Sequence, residues 1–528
     1  MKSLLLASLS ALTLAACAAG PDYVAPITPP KATASFVTVS TATITTAPDN
    51  DWWRMYRDPV LDGLVADALA ANTDLRVAVA RLDSARASLR GAKTDREPQV
   101  NASGSGNYAR TSQLQNLPGF DRERATYDVG LDVSYEVDLA GRVRRNVEAA
   151  RGDVGAAQAD ADAVRVSIVA ATTRAYVDAA SSAERLAVAR RIVDLLEKSN
   201  TLTGKRVDAG RAARLDQVRI AALRDQRAAN IPQIEAERQA ALFRLATLTG
   251  RTPRDLPASA GTRTTTPRLD RPIPIGDGAM LLARRPDVHA AERRLAAATA
   301  RIGVRTSQLY PQIALGGSIG STALSVGDVF TGGPVRWLLG PLLNWTVNQS
   351  AARARIAGAE ADTRGALASF DGSVLTALEE TETALSNYAR ELDRRTQLQS
   401  AHDNAATAAR ITRARQREGQ IDFLDVLDAE RTLADTDTEL AAADARIAGA
   451  QVDLFRALGG GGRRRAALPA DTGAASSHVT DPSPTRHQTV PAGAYRLGRW
   501  GRPSSAWSIR GRVASGRAGR VCARRSNG

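Results

Sequence analysis

Several things are scarce in this chain, and each scarcity removes a class of answer. Aromatic residues make up 4% of the 528 residues, too few for a large globular core but enough for long, closely packed helices. Only four histidines occur, at 289, 402, 478 and 487, scattered without metal-ligand spacing. His289-Ala290-Ala291-Glu292 on a helix reads as a solvated face rather than a metal site. There is no Walker motif and no dinucleotide fingerprint. Gly316-Gly317-Ser318-Ile319-Gly320 matches G-x-S-x-G, but a nucleophile elbow needs a helix directly after the serine. Here the chain continues into Ser321-Thr322-Ala323 and a Gly/Pro loop, so a strand and turn is expected. Neither enzyme chemistry, a cofactor nor a metal is therefore predicted. The one leading apolar run, Leu4 to Leu14, is too short to span a bilayer.

Charge of one sign is also unevenly placed. The formal net charge is +14, yet the segment from Arg463 to Gly528 holds 13 arginines against Asp471 and Asp481, a net of +11. The rest of the chain carries only +3. A basic tail can bind nucleic acid or anionic lipid, but without a folded reader module it reads as a solvated, disordered tail, and no nucleic-acid partner is expected.

The start, MKSLLLASLSALTLAAC, has a basic n-region at Lys2, an apolar h-region and small residues before a cysteine, the pattern of an export signal. Leu14-Ala15-Ala16-Cys17 resembles a bacterial lipobox, implying cleavage before Cys17 and lipid on its sulfur and new amino terminus. The alternative is an ordinary signal peptide with a chance cysteine. Ala18 rather than Asp after Cys17 implies sorting to the outer membrane. With Cys17 lipidated only Cys522 stays free, so no intrachain disulfide exists and stability must come from packing.

The stretch Tyr127–Asp138 alternates strictly. Tyr127, Val129, Leu131, Val133, Tyr135 and Val137 are apolar, while Asp128, Asp132, Glu136 and Asp138 stand among the residues between them. Such alternation is a strand with two unlike faces. Four carboxylates on one face would repel unless that face met water or a partner, so they are expected to face an aqueous lumen, with lipid on the other side. Gln99 to Tyr108 alternates in the same way. After it, Gly141 to Ile231 contains no proline and carries an apolar stripe with a step near 3.5, which predicts a helix from Arg142 to about Thr203, roughly 90 Å long. Gly204 and Gly210 bracket the turn of a helical hairpin.

The second half repeats the first. Tyr310-Pro311 ends a helix as Pro98 does, Gly419 matches Gly210, and Leu454-Phe455-Arg456 echoes Leu242-Phe243-Arg244, the mark of a duplicated unit. The expected layout is a signal peptide at 1–16 and an extended, lipidated tether at 17–50. A first repeat at 51–250 has helices at about 51–95, 142–203 and 214–248 and strands at about 99–108 and 126–138. An irregular connection covers 251–277. A second repeat at 278–458 has helices at about 279–308, 349–417 and 424–458 and strands at about 312–320 and 335–347. The Arg-rich tail is 459–528.

Two hairpins give four strands, too few to close a membrane barrel. An open sheet in lipid leaves edge amides unpaired at several kcal/mol each. Copies are required: two would give eight strands with a filled interior, three a twelve-stranded barrel with a lumen. A homotrimer is expected, mainly α with transmembrane β, its β-barrel continuing into an α-helical barrel.

At this point the motifs themselves resemble a family. Ser134-Tyr135-Glu136-Val137-Asp138-Leu139-Ala140-Gly141-Arg142, Leu281 to Val288 with Ala291-Glu292, Gly303 followed by Tyr310-Pro311, and Leu424 to Arg431 (LDVLDAER) are similar to segments of the TolC/OprM/NodT outer-membrane efflux proteins, lipoprotein branch. The resemblance covers nearly all of Cys17 to Gly459. It implies a trimeric outer-membrane channel serving as exit duct of a tripartite pump, with a periplasmic adaptor and an inner-membrane RND transporter as partners. Carried over by motif, Leu424, Asp428 and Arg431 face the constriction at the periplasmic tip, with Asp425 and Asp216 as further gate candidates. The alternative for Asp428 and Arg431 is a surface i,i+3 ion pair. The competing function class is a non-conducting trimeric envelope anchor or adhesin-like protein.

Overall fold

In the computed structural model, residues 18–461 are described, apart from 39, 116, 117, 120 and 332–334. The chain divides into two units, Met1–Arg465 and Ala466–Gly528, the second wholly outside the described residues. The expected signal peptide, Cys17 and the tail from 462 onward also lie outside them.

A two-residue strand β1 (Thr43–Ile44) and a 3-10 turn at Trp52–Tyr56 precede helices α1 (Pro59–Ala71) and α2 (Thr73–Thr94). The single helix expected over 51–95 is thus three pieces. Short polar side chains cut it: Asp58 accepts the N–H groups of Val60 and Leu61, and Asn72 those of Asp74 and Leu75, each capping a new helix start. Strands β2 (Gln99–Arg110) and β3 (Glu123–Val137) form the first hairpin, and α3 (Arg142–Asp208) is one continuous helix of 67 residues. Gly210, with φ of 67°, turns the chain as only glycine does without strain. The return is broken too, into α4 (Arg214–Ala228) and α5 (Ile231–Leu248), with Pro232 in the first turn of α5 where no helical N–H is missed.

The second half repeats this order: β4 (Ile273–Pro274), α6 (Gly278–Arg284), α7 (Pro286–Thr306), β5 (Gln312–Ala323), a short α8 (Val326–Phe330), β6 (Val335–Asn344), α9 (Ser350–Arg417) and α10 (Phe423–Ala457). The helix expected over 279–308 breaks at Arg285 (φ −68°, ψ 117°), because a residue ahead of proline is driven out of the helical region. The last strand stops at Asn344 rather than 347. Trp345 Nε1 and Gln349 Nε2 both donate to the Leu309 carbonyl at 3.2 Å and turn the chain off the sheet.

The four long strands form one antiparallel sheet in the order β2-β3-β5-β6. The two repeats therefore meet in the middle, β3 against β5, while β2 and β6 each have a neighbour on one side only among the described residues. Away from the sheet, α3 lies along α2, α5, α7 and α10, and α9 along α7 and α10.

A core partway along the helices ties the repeats together. Trp52 stacks on Phe455 with ring centroids 4.5 Å apart and meets Trp53 edge-on. Around them pack Leu61, Leu64 and Val65 of α1, Val169 and Tyr176 of α3, Leu245 of α5, Leu385 of α9 and Leu454 of α10. Aromatics are few in this chain, and several are spent here.

The segment expected to be an extended tether is held against the body instead. Phe36 and Ala32 are buried, the N–H groups of Val37 and Thr38 donate to the Glu382 carboxylate, and β1 pairs in parallel with β4. The connection at 251–277 is likewise pinned, by Arg251–Asp67, Arg263–Asp58 and Arg268–Asp444 ion pairs. Both stretches lack helical periodicity because other elements, not their own turns, satisfy their backbone.

Asp58 is the junction of this belt. Buried, it receives the Tyr176 hydroxyl at 2.7 Å and the Arg263 guanidinium at 2.6 Å as well as its two N-cap bonds. Burial pushes its carboxyl up, but these four donors outweigh burial and hold it below the usual carboxylate range. Asp58→Ala is expected to cost about 2–3 kcal/mol, since it removes a cap and leaves the Tyr176 hydroxyl and the partly exposed Arg263 without their acceptor. Denaturation in detergent would read this as a lowered midpoint. Because the folded pKa is depressed, the wild-type advantage is complete above the unfolded value of about 3.9 and is lost as pH falls through the folded value. A pH-independent difference between the two proteins would contradict this role.

Candidate functional site

The sheet has the two unlike faces that its sequence predicts. On one, Asn101, Asp132 and Ser318 stand side by side, as do Ser105, Asp128 and Thr322; on the other, Val100, Val133, Gly317 and Leu339 form a row. Val129, Leu131, Val133, Ile319, Trp337, Leu339 and Leu343 are all exposed in the single chain. β6 is apolar on both faces, with Leu338 and Leu342 opposite Leu339 and Leu343, so it lacks the strict alternation of β3.

The carboxylates are less bare than expected. Arg336 of β6 reaches across β5 to hold Asp128 of β3 at 2.8 Å, and Thr322 also donates to Asp128 at 2.6 Å. Gly320 and Gly130 lie under this arginine, and a Cβ on either would sit 3.4–3.6 Å from its terminal nitrogen. Glu136 is bound bidentately by Arg142, at 2.8 and 2.6 Å. Asp138 is not on the strand: β3 ends at Val137, and Asp138 accepts the N–H groups of Val143 and Arg144 at the start of α3, where a helix favours negative charge. Asp132 has no cationic partner among the described residues and accepts only from the Ser103 hydroxyl, at 3.4 Å. The expected row of four repelling charges is thus largely neutralised within the chain, by residues whose pairing across strands no local pattern announces.

The residues directly after Cys17 are seated at the sheet–helix junction. Ala19 N–H donates to the Ala140 carbonyl at 3.0 Å. A Cβ on Gly141 would lie 2.8 Å from the Ala18 backbone, and one on Gly303 2.7 Å from the Ala19 carbonyl. Arg145, its side chain 3% exposed, donates to the carbonyls of Ala19 and Gly20 and pairs with Asp22 and Glu148. Gly303 belongs to one repeat and Gly141 to the other, so the seat needs both.

At the far end, Leu424, Asp425, Asp428 and Arg431 are all exposed on the first turns of α10. Leu424, Asp428 and Arg431 share one face at i, i+4, i+7, while Val426 is buried on another. The i,i+3 pair does not form: among the described residues neither Asp428 nor Arg431 has a side-chain partner. Asp216 stands at the other tip, half-buried in the first turn of α4. Sequence reasoning missed the ties that brace these tips. Arg413 near the end of α9 and Glu430 of α10 clasp the two helices together (Arg413 Nη2 to Glu430 Oε2, 2.7 Å), and Arg227 of α4 reaches Asp435 of α10 at 2.6 Å. Ile192, Leu196, Leu223 and Ala434 pack nearby. The first pair joins the two arms of one hairpin and the second joins the two repeats, and neither leaves a local signal.

No helix among the described residues is long and apolar enough to cross a membrane. A two-faced sheet with both edges open, prolonged by helices of 67 and 68 residues, defines a subunit of an outer-membrane channel with a helical conduit. The chain belongs to the outer membrane efflux protein family, whose profile matches residues 64–251 and 279–460, one match per repeat. It is 33% identical to the outer membrane protein OprJ of Pseudomonas aeruginosa, over 86% of this chain and 95% of that one. Its fold matches the outer-membrane channel OprN with a TM-score of 0.78 and 37% identity, covering 84% of this chain and all but 1% of the other, 99% being matched. It also matches the open state of the Neisseria gonorrhoeae MtrE outer membrane channel, with a TM-score of 0.71 at 27% identity, over 84% and 98% of the two chains. The protein is accordingly an outer-membrane component with a long periplasmic portion.

Gly303→Val is expected to expel residues 18–22 from their seat. Limited proteolysis would then cut the amino-terminal segment early while the helical body stays resistant. Equal protection in both proteins would contradict the seat.

Proposed function

We propose that three copies of this chain form the exit duct of a tripartite efflux pump, through which solutes pass passively from an inner-membrane RND transporter, joined by a periplasmic adaptor, to the exterior. The observation that carries this reading is the four-stranded sheet with open edges running directly into the long helices. Three copies pair β6 of one with β2 of the next and give twelve strands around a water-filled lumen, with Asp128, Asp132 and Glu136 on the lumen side. Cys17 carries the lipid, directly ahead of the seated segment Ala18–Gly20.

The tip is the gate in this reading. Helices converging on a three-fold axis bring Asp428 and Arg431 next to the same residues of two neighbours, and their lack of partners among the described residues leaves them available for contacts between copies. Leu424 adds an apolar plug, while Asp425 and Asp216 contribute charge nearby. Contacts between exposed ions are individually weak, at most about 1 kcal/mol each, which suits a seal that a docking adaptor breaks. No nucleotide, metal or cofactor enters this scheme.

Asp428→Ala with Arg431→Ala is expected to raise single-channel conductance in planar bilayers without changing the oligomer. Unchanged conductance would remove these residues from the gate, and absence of any conductance in the wild-type protein would overturn the duct itself in favour of a structural anchor. In the same preparation Cys17→Ser is expected to abolish incorporation of radiolabelled palmitate. Label retained in that variant would rule out Cys17 as the lipid site.

A further inference from the structure

The described residues contain a large cleft that none of the above uses. It measures about 960 Å³ and is lined by the turn before α1 (Asp49, Asp51, Arg54, Arg57), by Arg165 of α3 and by the connection at Arg268–Arg271. Its lining is mainly polar and charged, with Met55 and Leu269 among the few apolar contributors, and its size is that of a small-molecule or peptide site. Among the described residues, Arg54, Arg57 and Arg271 have no side-chain partner, and neither do the carboxylates of Asp51 and Asp270. Arg165 spends its Nε on the Gly461 carbonyl, and Arg268 is paired with Asp444.

Arg57 adds an independent sign. It is the only non-glycine residue with a left-handed backbone among those described, with φ of 50°. Its N–H closes the 3-10 turn on the Arg54 carbonyl. A side-chain-bearing residue in that region is strained by an amount glycine would avoid, and such strain collects at binding sites. Here it places an exposed, unpaired guanidinium on the rim of the cleft.

Free groups of both signs in one cleft suit a ligand that is itself zwitterionic. A lipid headgroup is the wrong source: Arg165 lies 23 residues into α3, about 35 Å from the end of the sheet at 1.5 Å per residue, several Debye lengths from the membrane surface. What lies at that depth below an outer membrane is the cell wall, whose peptide stems carry free carboxylates and a free amine. We infer that the cleft binds a carboxylate- and amine-bearing peptide stem of the cell wall, with Arg54, Arg57 and Arg271 taking the carboxylates and Asp51 or Asp270 the amine. This would hold the duct in register where it crosses the wall.

The test uses full-length protein in detergent and a soluble disaccharide-tripeptide released from cell wall, titrated calorimetrically. The comparison variant is Arg54→Gln with Arg57→Gly and Arg271→Gln, the glycine chosen because it keeps the left-handed turn without strain. Expected are salt-sensitive binding by the wild type, at least about tenfold weaker binding by the variant, and loss of binding when the stem carboxylates are amidated. Conductance and oligomeric mass should be unchanged in the variant, so a failure here is separable from failure of the duct reading. Equal binding by both proteins, equal binding of the amidated stem, equal binding of peptide-free glycan, or loss of the oligomer in the variant would each overturn the proposal, the last by showing that the cleft is filled by a second copy.

Discussion

Hydrocarbon offers backbone amides nothing to bond with, and this sheet has two edges. β2 and β6 each leave one side of their N–H and C=O groups without a neighbour among the described residues, at several kcal/mol for each group left bare in lipid. Side chains cannot repair this, and neither can folding of a single copy, because all four strands are already in use. Closure between copies is the solution proposed here, and in a duct of three copies it would set the diameter, the number of helices around it and the threefold repetition of whatever stands at its tip.

Duplication supplied the parts but left the repeats unlike each other. The first contributes the acidic strand β3, and the second contributes Arg336, which crosses over Gly320 and Gly130 to neutralise Asp128. The amino-terminal seat likewise takes Gly141 and Arg145 from the first repeat and Gly303 from the second, and the central core stacks Trp52 on Phe455, some four hundred residues later. Neither half could fold as the whole does. What began as two copies of one unit became a pair of complementary pieces.

How much of this was readable follows from the physics of each element. The strand at Tyr127–Val137 declared itself because lipid and water on opposite faces imprint a period of two, and α3 did so through its unbroken, proline-free stripe. Breaks inside helices were invisible where one polar residue, Asp58 or Asn72, captured the next N–H groups, since such residues also occur unremarkably on helix surfaces. Arg285 before Pro286 was the exception that local chemistry could have flagged. The irregular stretches at 18–50 and 251–277 were read as loose because they lack periodicity, yet their order comes from distant partners such as Glu382, Asp58 and Asp444. At the tip Leu424 to Arg431 stand on the first turns of α10, whereas the braces Arg413–Glu430 and Arg227–Asp435 depend on pairings between helices.

The decisive measurement is the native mass of the detergent-solubilised protein. Closure by threes requires a species of three chain masses that stays together until the sheet itself is unfolded. A stable single chain, soluble without detergent, would mean that the open edges are satisfied in some other way, and the conduit would not exist.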